Sequence, residues 1–425
     1  MPLLRYLPPR GLLGLGPLDS YKFTEVPTSH RVCSTQLQRA VRCTTTEATR
    51  QTVSMDLSVA VTPLYVGSMV YEQRALARRA EAEGPSAADY LAPDTRTSLL
   101  MGALSLTTPL SAALAGYAVP FRTSGKRGRS GRIGQVVVGV AVAAAVATTL
   151  ADRAAATADL ATEKGRAARA RARKVAAAGG VVAIAAGGVA ITATTAAFTG
   201  ATRMWKRGQR HDLGNGVLAW TVGMVWWDFA YYWNHRNQHE IRGMWAVHVP
   251  HHSSERYNLS TALRQPVAGA FGVWVPYGLV ARIGVRPFII ETSRALNLIY
   301  QYWIHTVTIR TLGVAEGVVN TPSNHRVHHG RNKRYIDRNH AGILMIWDRL
   351  FGTYQRELPD EPVIYGLTKN IESYNMWTVS THEYGDICRD VARSTNWRDR
   401  LGFVVRTPGW AYARRAELDA AASVA

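Results

Sequence analysis

Five apolar runs, at residues 57–71, 98–121, 134–150, 175–201 and 213–233, divide this chain into segments that water does not solvate well. Several approach or exceed the ~20 residues that an α-helix needs to cross a bilayer core. They predict an all-α, multi-pass integral membrane protein. A mean hydropathy of −0.10 does not argue against this, because it averages these runs with arginine-rich blocks. The competing reading is buried helices of a soluble α-protein, since 134–150 and 175–201 are rich in the weakly apolar Ala and Gly.

The charge lies between the runs. Fifty Lys and Arg face 30 Asp and Glu, a formal balance of +20, with the densest blocks at FRTSGKRGRSGR (121–132) and KGRAARARARK (164–174). Such blocks suggest nucleic acid first. Set between apolar segments, however, they are accounted for more simply by anionic lipid headgroups, and no nucleic-acid partner is expected. Cations flank both ends of the runs, so their distribution does not fix orientation. Three cysteines, Cys33, Cys43 and Cys388, make no CxxC pair, which excludes a thiolate zinc site or disulfide framework of the usual spacing and suits a reducing compartment. Residues 1–54 have no helical or strand period and are read as a disordered extension. Met55 begins an apolar helix and has the character of a natural start, so residues 55–212 are assigned to transmembrane helices and basic loops.

Chemistry enters at residue 213. The run LGNGVLAWTVGMVWWDFAYYW ends in aromatic residues suited to a membrane–water interface, or to lining a lipid entry path. His235 and His239 follow at i, i+4. His248, His251 and His252 come next at i, i+3, i+4, and His325, His328 and His329 repeat that spacing. Each set falls on one face of a helix. Eight of the 13 histidines sit in these three clusters. One transition-metal ion takes about four to six ligands, so eight or nine imidazoles suit two ions. Between the second and third clusters, the apolar stretches 267–281 and 295–309 are short for full spans. A shallow hairpin or two tilted crossings both return the chain to the side it left, so the clusters can meet at one membrane face. His305 ends the returning segment, and its spacing fits a ninth ligand and an interfacial histidine equally well. His30, His211, His340 and His382 are read as core or exposed histidines without a metal role.

With the words HHSSERYNLSTALRQ (251–265), QYWIHT (301–306), NTPSNHRVHHGRN (320–332), IWDRLFGTY (346–354) and VIYGLT (363–368), residues 213–368 resemble the fatty acid hydroxylase and sterol desaturase superfamily. Within it they resemble the alkylglycerol monooxygenase branch and its bacterial relatives. The resemblance implies a catalytic domain over 213–368, and the hydrophilic stretch 369–425 that follows is read as a cytoplasmic C-terminal tail. It further implies a non-haem centre of two iron ions that uses O2 to attack a lipid C–H bond. Carried over by position, the ligands are His235, His239, His248, His251, His252, His325, His328 and His329, with His305 matching the family's additional histidine. His340 stands where that branch often has tyrosine, and the Ala- and Arg-rich region 134–174 has no counterpart in the likeness.

Glu240 and Asp348 are candidates for orienting imidazole N–H groups, with ordinary pairing to Arg236 or Arg349 as the equal alternative. No GxGxxG, Walker loop or haem-binding HPGG is present. Electrons must therefore come from a reductase, a ferredoxin or, where the likeness extends that far, a reduced pterin. Ferrous iron and such donors put the histidine boxes and the C-terminus on the cytoplasmic side. The function expected is a membrane-bound lipid hydroxylase. A desaturase with the same centre is the alternative. A histidine-rich metal transporter is remote, because transport sites lie at mid-membrane depth and these boxes lie outside the apolar runs.

Overall fold

The computed structural model describes residues 57–105, 129–266, 269 and 276–424. The 1–54 extension, most of the basic block 121–132, the second half of the 98–121 run and most of the 267–281 stretch lie outside those residues. Among the described residues the chain is helical. Fourteen α-helices and short 3-10 turns are joined by loops, and one antiparallel bridge links Val319 to Leu344.

The helices are α1 (Leu57–Ala60), α2 (Thr62–Glu83), α3 (Ala92–Ser105), α4 (Arg129–Thr157), α5 (Glu163–Thr199), α6 (Ala201–Gly208), α7 (Val217–Glu240), α8 (Arg242–His252), α9 (Pro287–Trp303), α10 (Pro322–His328), α11 (Ile346–Leu350), α12 (Met376–Arg393), α13 (Trp397–Val405) and α14 (Pro408–Val424). Of these, α4 over Ile133–Thr157 and α5 over Glu163–Thr195 are long and apolar enough to cross a membrane. They form a hairpin whose turn is capped by the Thr162 hydroxyl, which accepts from Gly165 N at 3.0 Å. Small residues let the two backbones approach. Ala151, Ala155, Ala176 and Ala183 are buried, and a Cβ on Gly179 would fall 2.5 Å from Thr148 Oγ1. The larger side chains face outward, Val136 being 63% and Ile191 65% exposed.

The runs 57–71 and 213–233 give helices of mixed character. The second half of α2 is RALARRAEAE. In α7 the apolar face carries a buried carboxylate, Asp228, and ends in histidines. Asp228 accepts from Asn297 Nδ2 of α9 at 2.7 Å, the backbone N–H groups of Ile343 (2.8 Å) and Leu344 (3.0 Å), and Trp347 Nε1 (2.9 Å). This carboxylate ties α7, α9 and α11 together. Below it, Ala219 and Trp227 pack with Val280, Ala281, Val285 and Ile289.

Residues 376–424, expected as part of a tail, form the three helices α12–α14. The fully buried Arg242 at the start of α8 donates to Glu383 Oε1 (2.7 Å) and Asp390 Oδ2 (2.8 Å) of α12. Arg415 of α14 shares Asp390 at 2.6 Å. From α13, Arg400 pairs with Asp152 of α4, and Trp397 Nε1 donates to Thr149 Oγ1 at 3.0 Å. The C-terminal helices thus join the hairpin to the helix that carries the second histidine cluster.

Candidate metal centre

Each cluster is carried where its spacing predicts. His235 and His239 occupy the last two turns of α7, and His248, His251 and His252 the end of α8. His325 and His328 lie on α10, and His329 caps it. That helix starts cleanly because Thr321 accepts from Asn324 N at 3.3 Å and Pro322 fits a first-turn position. His305 lies just beyond α9.

All nine histidines are buried, none more than 7% exposed. They separate into two groups, His235, His239, His248, His252 and His328, and His251, His305, His325 and His329. Within each group the candidate ligand atoms lie within 4.8 Å of one another. The second and third clusters contribute to both groups, because residues three or four apart share a face yet diverge enough to aim at neighbouring points. His305, which spacing left undecided, joins the smaller group.

The nitrogens themselves test whether a metal fits. Backbone carbonyls only accept, so His235 Nδ1 donates to His340 O (2.9 Å), His328 Nδ1 to Arg338 O (2.9 Å) and His305 Nδ1 to Gln301 O (2.7 Å). In all three rings the Nε2 lone pair is then free to face inward. His235 Nε2 and His252 Nε2 each lie 3.0 Å from His248 Nε2. His305 Nε2 lies 3.2 Å from His251 Nε2 and 2.9 Å from His325 Nε2. Two nitrogens bound at right angles to one ion, about 2.1 Å from it, lie about 3 Å apart. The spacing is that of a coordination edge. His239 Nε2, His251 Nδ1, His325 Nδ1, His328 Nε2 and His329 Nε2 are buried without a partner among the described residues. Each costs about 1–3 kcal/mol if left so, and a shared ion would remove that cost at Nε2 of His239, His328 and His329, whereas His251 and His325 face their group through Nε2 and keep Nδ1 on the far side of the ring. Burial, reinforced by neighbouring imidazoles, holds His248, His251, His252, His325, His328 and His329 well below the ordinary imidazole value and His235 at about 3. They are neutral donors at physiological pH, the form that binds metal.

Neither proposed orienting carboxylate meets a cluster ring. Glu240 is paired with Arg236 at 2.9 Å. Asp348 accepts the backbone N–H groups of His340 and Ala341, each at 2.8 Å, and Thr353 Oγ1 at 2.6 Å. It fixes the loop whose His340 carbonyl holds His235, and so acts one step removed. The carboxylate beside a ring is instead Asp337, 3.4 Å from His239 Nδ1. His340, read as a core or exposed histidine, is a core histidine beside the centre and belongs to neither group. It is fully buried, with its ring centroid 5.0 Å from that of His239, and it donates from Nε2 to Asp337 O at 3.1 Å while Nδ1 has no partner. No helical spacing points to it, since Asp337 and Asn339 both adopt φ of 56° and turn the loop inward. Of the aromatic residues at the end of the 213–233 run, Trp227 and Tyr232 are core. Trp226 lines an apolar groove of about 480 Å³ with Thr221, Val222, Val225, Phe229 and Trp347.

Two converging imidazole groups held by α7, α8 and α10 mark a histidine-box domain, and the fatty acid hydroxylase family matches residues 220–353. This part of the chain is similar to the fatty acid hydroxylases. The chain is 44% identical over 199 residues to alkylglycerol monooxygenase of Danio rerio, covering 45% of this chain and 44% of that protein. It is 43% identical to the Homo sapiens alkylglycerol monooxygenase over the same length and shares. The Delta(7)-sterol 5(6)-desaturase erg3B of Aspergillus fumigatus is 28% identical over 150 residues, 33% of this chain and 40% of that protein. The chain spans less than half the length of the alkylglycerol monooxygenases it matches. No solved structure matches it.

Proposed function

We propose that this hydroxylase domain holds two iron ions, one in each imidazole group, and hydroxylates a C–H bond of a membrane lipid with O2 and electrons from outside the chain. The observation that carries this reading is the division of nine buried histidines into groups of five and four with coordination-edge spacing. Bound iron would supply the redox chemistry that activates O2.

The chain's own residues hold and shield the site. The carbonyls of His340, Arg338 and Gln301 fix three ring tautomers. Arg326, between His325 and His328, fixes α10 by donating to Glu357 Oε2 (2.7 Å) and to the carbonyls of Thr306 (3.1 Å) and Ile309 (2.8 Å). Burial of every imidazole keeps bulk water from the metal positions. The α4–α5 hairpin supports membrane insertion. The contact of α12 with α8 puts the C-terminal helices beside the histidine centre, which supports a common cytoplasmic side. A reductase, a ferredoxin or a reduced pterin would supply electrons.

Hydroxylation is preferred to desaturation because the more similar relatives named here are monooxygenases, at 44% and 43% identity against 28% for the sterol desaturase. The test compares lipid extracts from cells with and without the protein, grown under isotopically labelled dioxygen. One lipid class should gain a labelled oxygen. A new double bond without label would replace hydroxylation by desaturation, and unchanged lipids would remove the lipid-oxygenase reading.

A further inference from the structure

The loop between His305 and the third cluster presents an apolar surface that the metal centre does not use. Val314 is 94% exposed, Val318 63% and Leu312 42%, and on α11 Ile346 is 54% and Leu350 66% exposed. The two segments form one surface. Met345 N donates to Val318 O at 3.0 Å, Asn320 N to Ile343 O at 2.7 Å, and Val319 bridges to Leu344. Ile346 and Leu350, four residues apart, share one face of α11.

This surface has a definite level in the fold. Trp347 is tied to Asp228, seven positions before His235 on α7, and hence about 10 Å below that histidine along the helix axis. Tyr300 OH, on the last turns of α9, donates to Asn320 O at 2.7 Å and fixes the loop from the other side. At the same level Val225, Trp226 and Phe229 line the apolar groove that ends on Trp347, and lower on α7 Val217 and Leu218 are 84% and 64% exposed. Apolar exposure therefore continues from the flank of α7, across Trp347, to Ile346, Leu350, Val314 and Val318. The charges are one-sided. Between 307 and 320, and between 341 and 351, the exposed charged residues are Arg310 and Arg349. Both carboxylates of these segments, Glu316 and Asp348, are buried.

We propose that the loop 312–318 and α11 form a wedge that enters the surface of an anionic lipid bilayer beside the groove. The apolar side chains lie among the upper acyl chains, and Arg310 and Arg349 lie at the phosphates. A bilayer is chosen over a protein because the surface continues the apolar flank of α7 and because the exposed charges of its own two segments are both cations. The wedge would seat the mouth of the groove in lipid, so that an acyl or alkyl chain could enter it without crossing water. The inference uses the membrane reading of the chain and not its metal or its reaction, and its test has no catalytic readout.

The full-length protein, with Cys33, Cys43 and Cys388 changed to Ser, carries Val314→Cys labelled with an environment-sensitive fluorophore. It is reconstituted in vesicles of phosphatidylcholine and phosphatidylserine. Asp360→Cys, on an exposed loop away from the groove, serves as reference. The label at 314 should shift to the blue and be quenched several-fold more by nitroxide-bearing lipids than by a water-soluble quencher, with the reverse at 360. Leu350→Cys should follow 314. Equal access of the aqueous quencher at 314, 350 and 360 overturns the wedge. So does protection from both quenchers, the mark of a face covered by a second copy of this chain.

Discussion

The α4–α5 hairpin and the histidine centre are both helical, and they satisfy their side chains in opposite ways. In the hairpin, backbone hydrogen bonds are closed within each helix, the close approach of the helices is made by alanines and glycines, and many large side chains face outward, while Val181 and Ile184 pack against the C-terminal helices. Almost any apolar residue serves on that outer face. In the histidine centre, polar rings are buried to 7% exposure or less, and their atoms are met by groups distant in sequence, such as the His340 carbonyl for His235. The first region depends on composition and the second on position. Substitutions should therefore be tolerated in one and costly in the other.

The largest expected effect is at the centre. His328→Ala removes a nitrogen from the five-histidine group and should abolish oxygenation and lower bound iron, with the protein still reaching the membrane. Metal analysis of the purified variant checks this, and full iron with full turnover would break the comparison at its strongest point. Arg242→Ala leaves Glu383 buried without its cation, and Asp390 with the partly exposed Arg415 and Arg393 in place of a buried partner, and should cost about 3–5 kcal/mol, read as a lowered unfolding midpoint. A wild-type midpoint would mean that α12–α14 do not brace α8. Asp337→Ala removes the carboxylate beside His239 Nδ1 and should weaken metal binding by about 10–100-fold, measured by competition with a chelator.

A smaller effect is expected for His340→Phe, which keeps a buried ring but loses the donor to Asp337 O. Iron should remain while chelator resistance falls, and loss of iron comparable to His328→Ala would move His340 into the ligand set. The smallest effect belongs to the hairpin. Val142→Leu, on a 59% exposed position, should change stability by less than about 0.5 kcal/mol. Val142→Arg, in contrast, should impair insertion, since a mid-helix arginine costs about 2.5–3.5 kcal/mol on insertion scales. An inserted and stable Arg variant would show that the outer face of α4 does not meet lipid.

Much of this division was legible in the chain before folding. The hairpin could be read from 134–150 and 175–201, because an apolar run of that length is a local property and its helix closes its own hydrogen bonds. The eight box histidines could be read because i, i+3 and i+4 spacings are also local. By contrast, α7 and α2 carry the buried acids Asp228 and Glu72, which accept hydrogen bonds from residues far along the chain, such as Trp347 and Thr306. A count of apolar residues does not reveal such partners. The reading of 369–425 as a tail did not foresee the packing of α12–α14 for the same reason, since Glu383 and Asp390 look like surface acids until Arg242 lies between them.

The sequence by itself determined that the centre is made of imidazoles and which helix faces carry them, since helical period depends only on residue spacing. Tertiary structure decided the rest. It divided the rings into five and four, placed His305 with the smaller group, gave His239 a carboxylate in Asp337, and buried His340 beside them. Each of these depends on where separate helices and one loop with left-handed residues come to rest. Such positions are fixed by packing and by hydrogen bonds between distant parts of the chain, which no local pattern encodes.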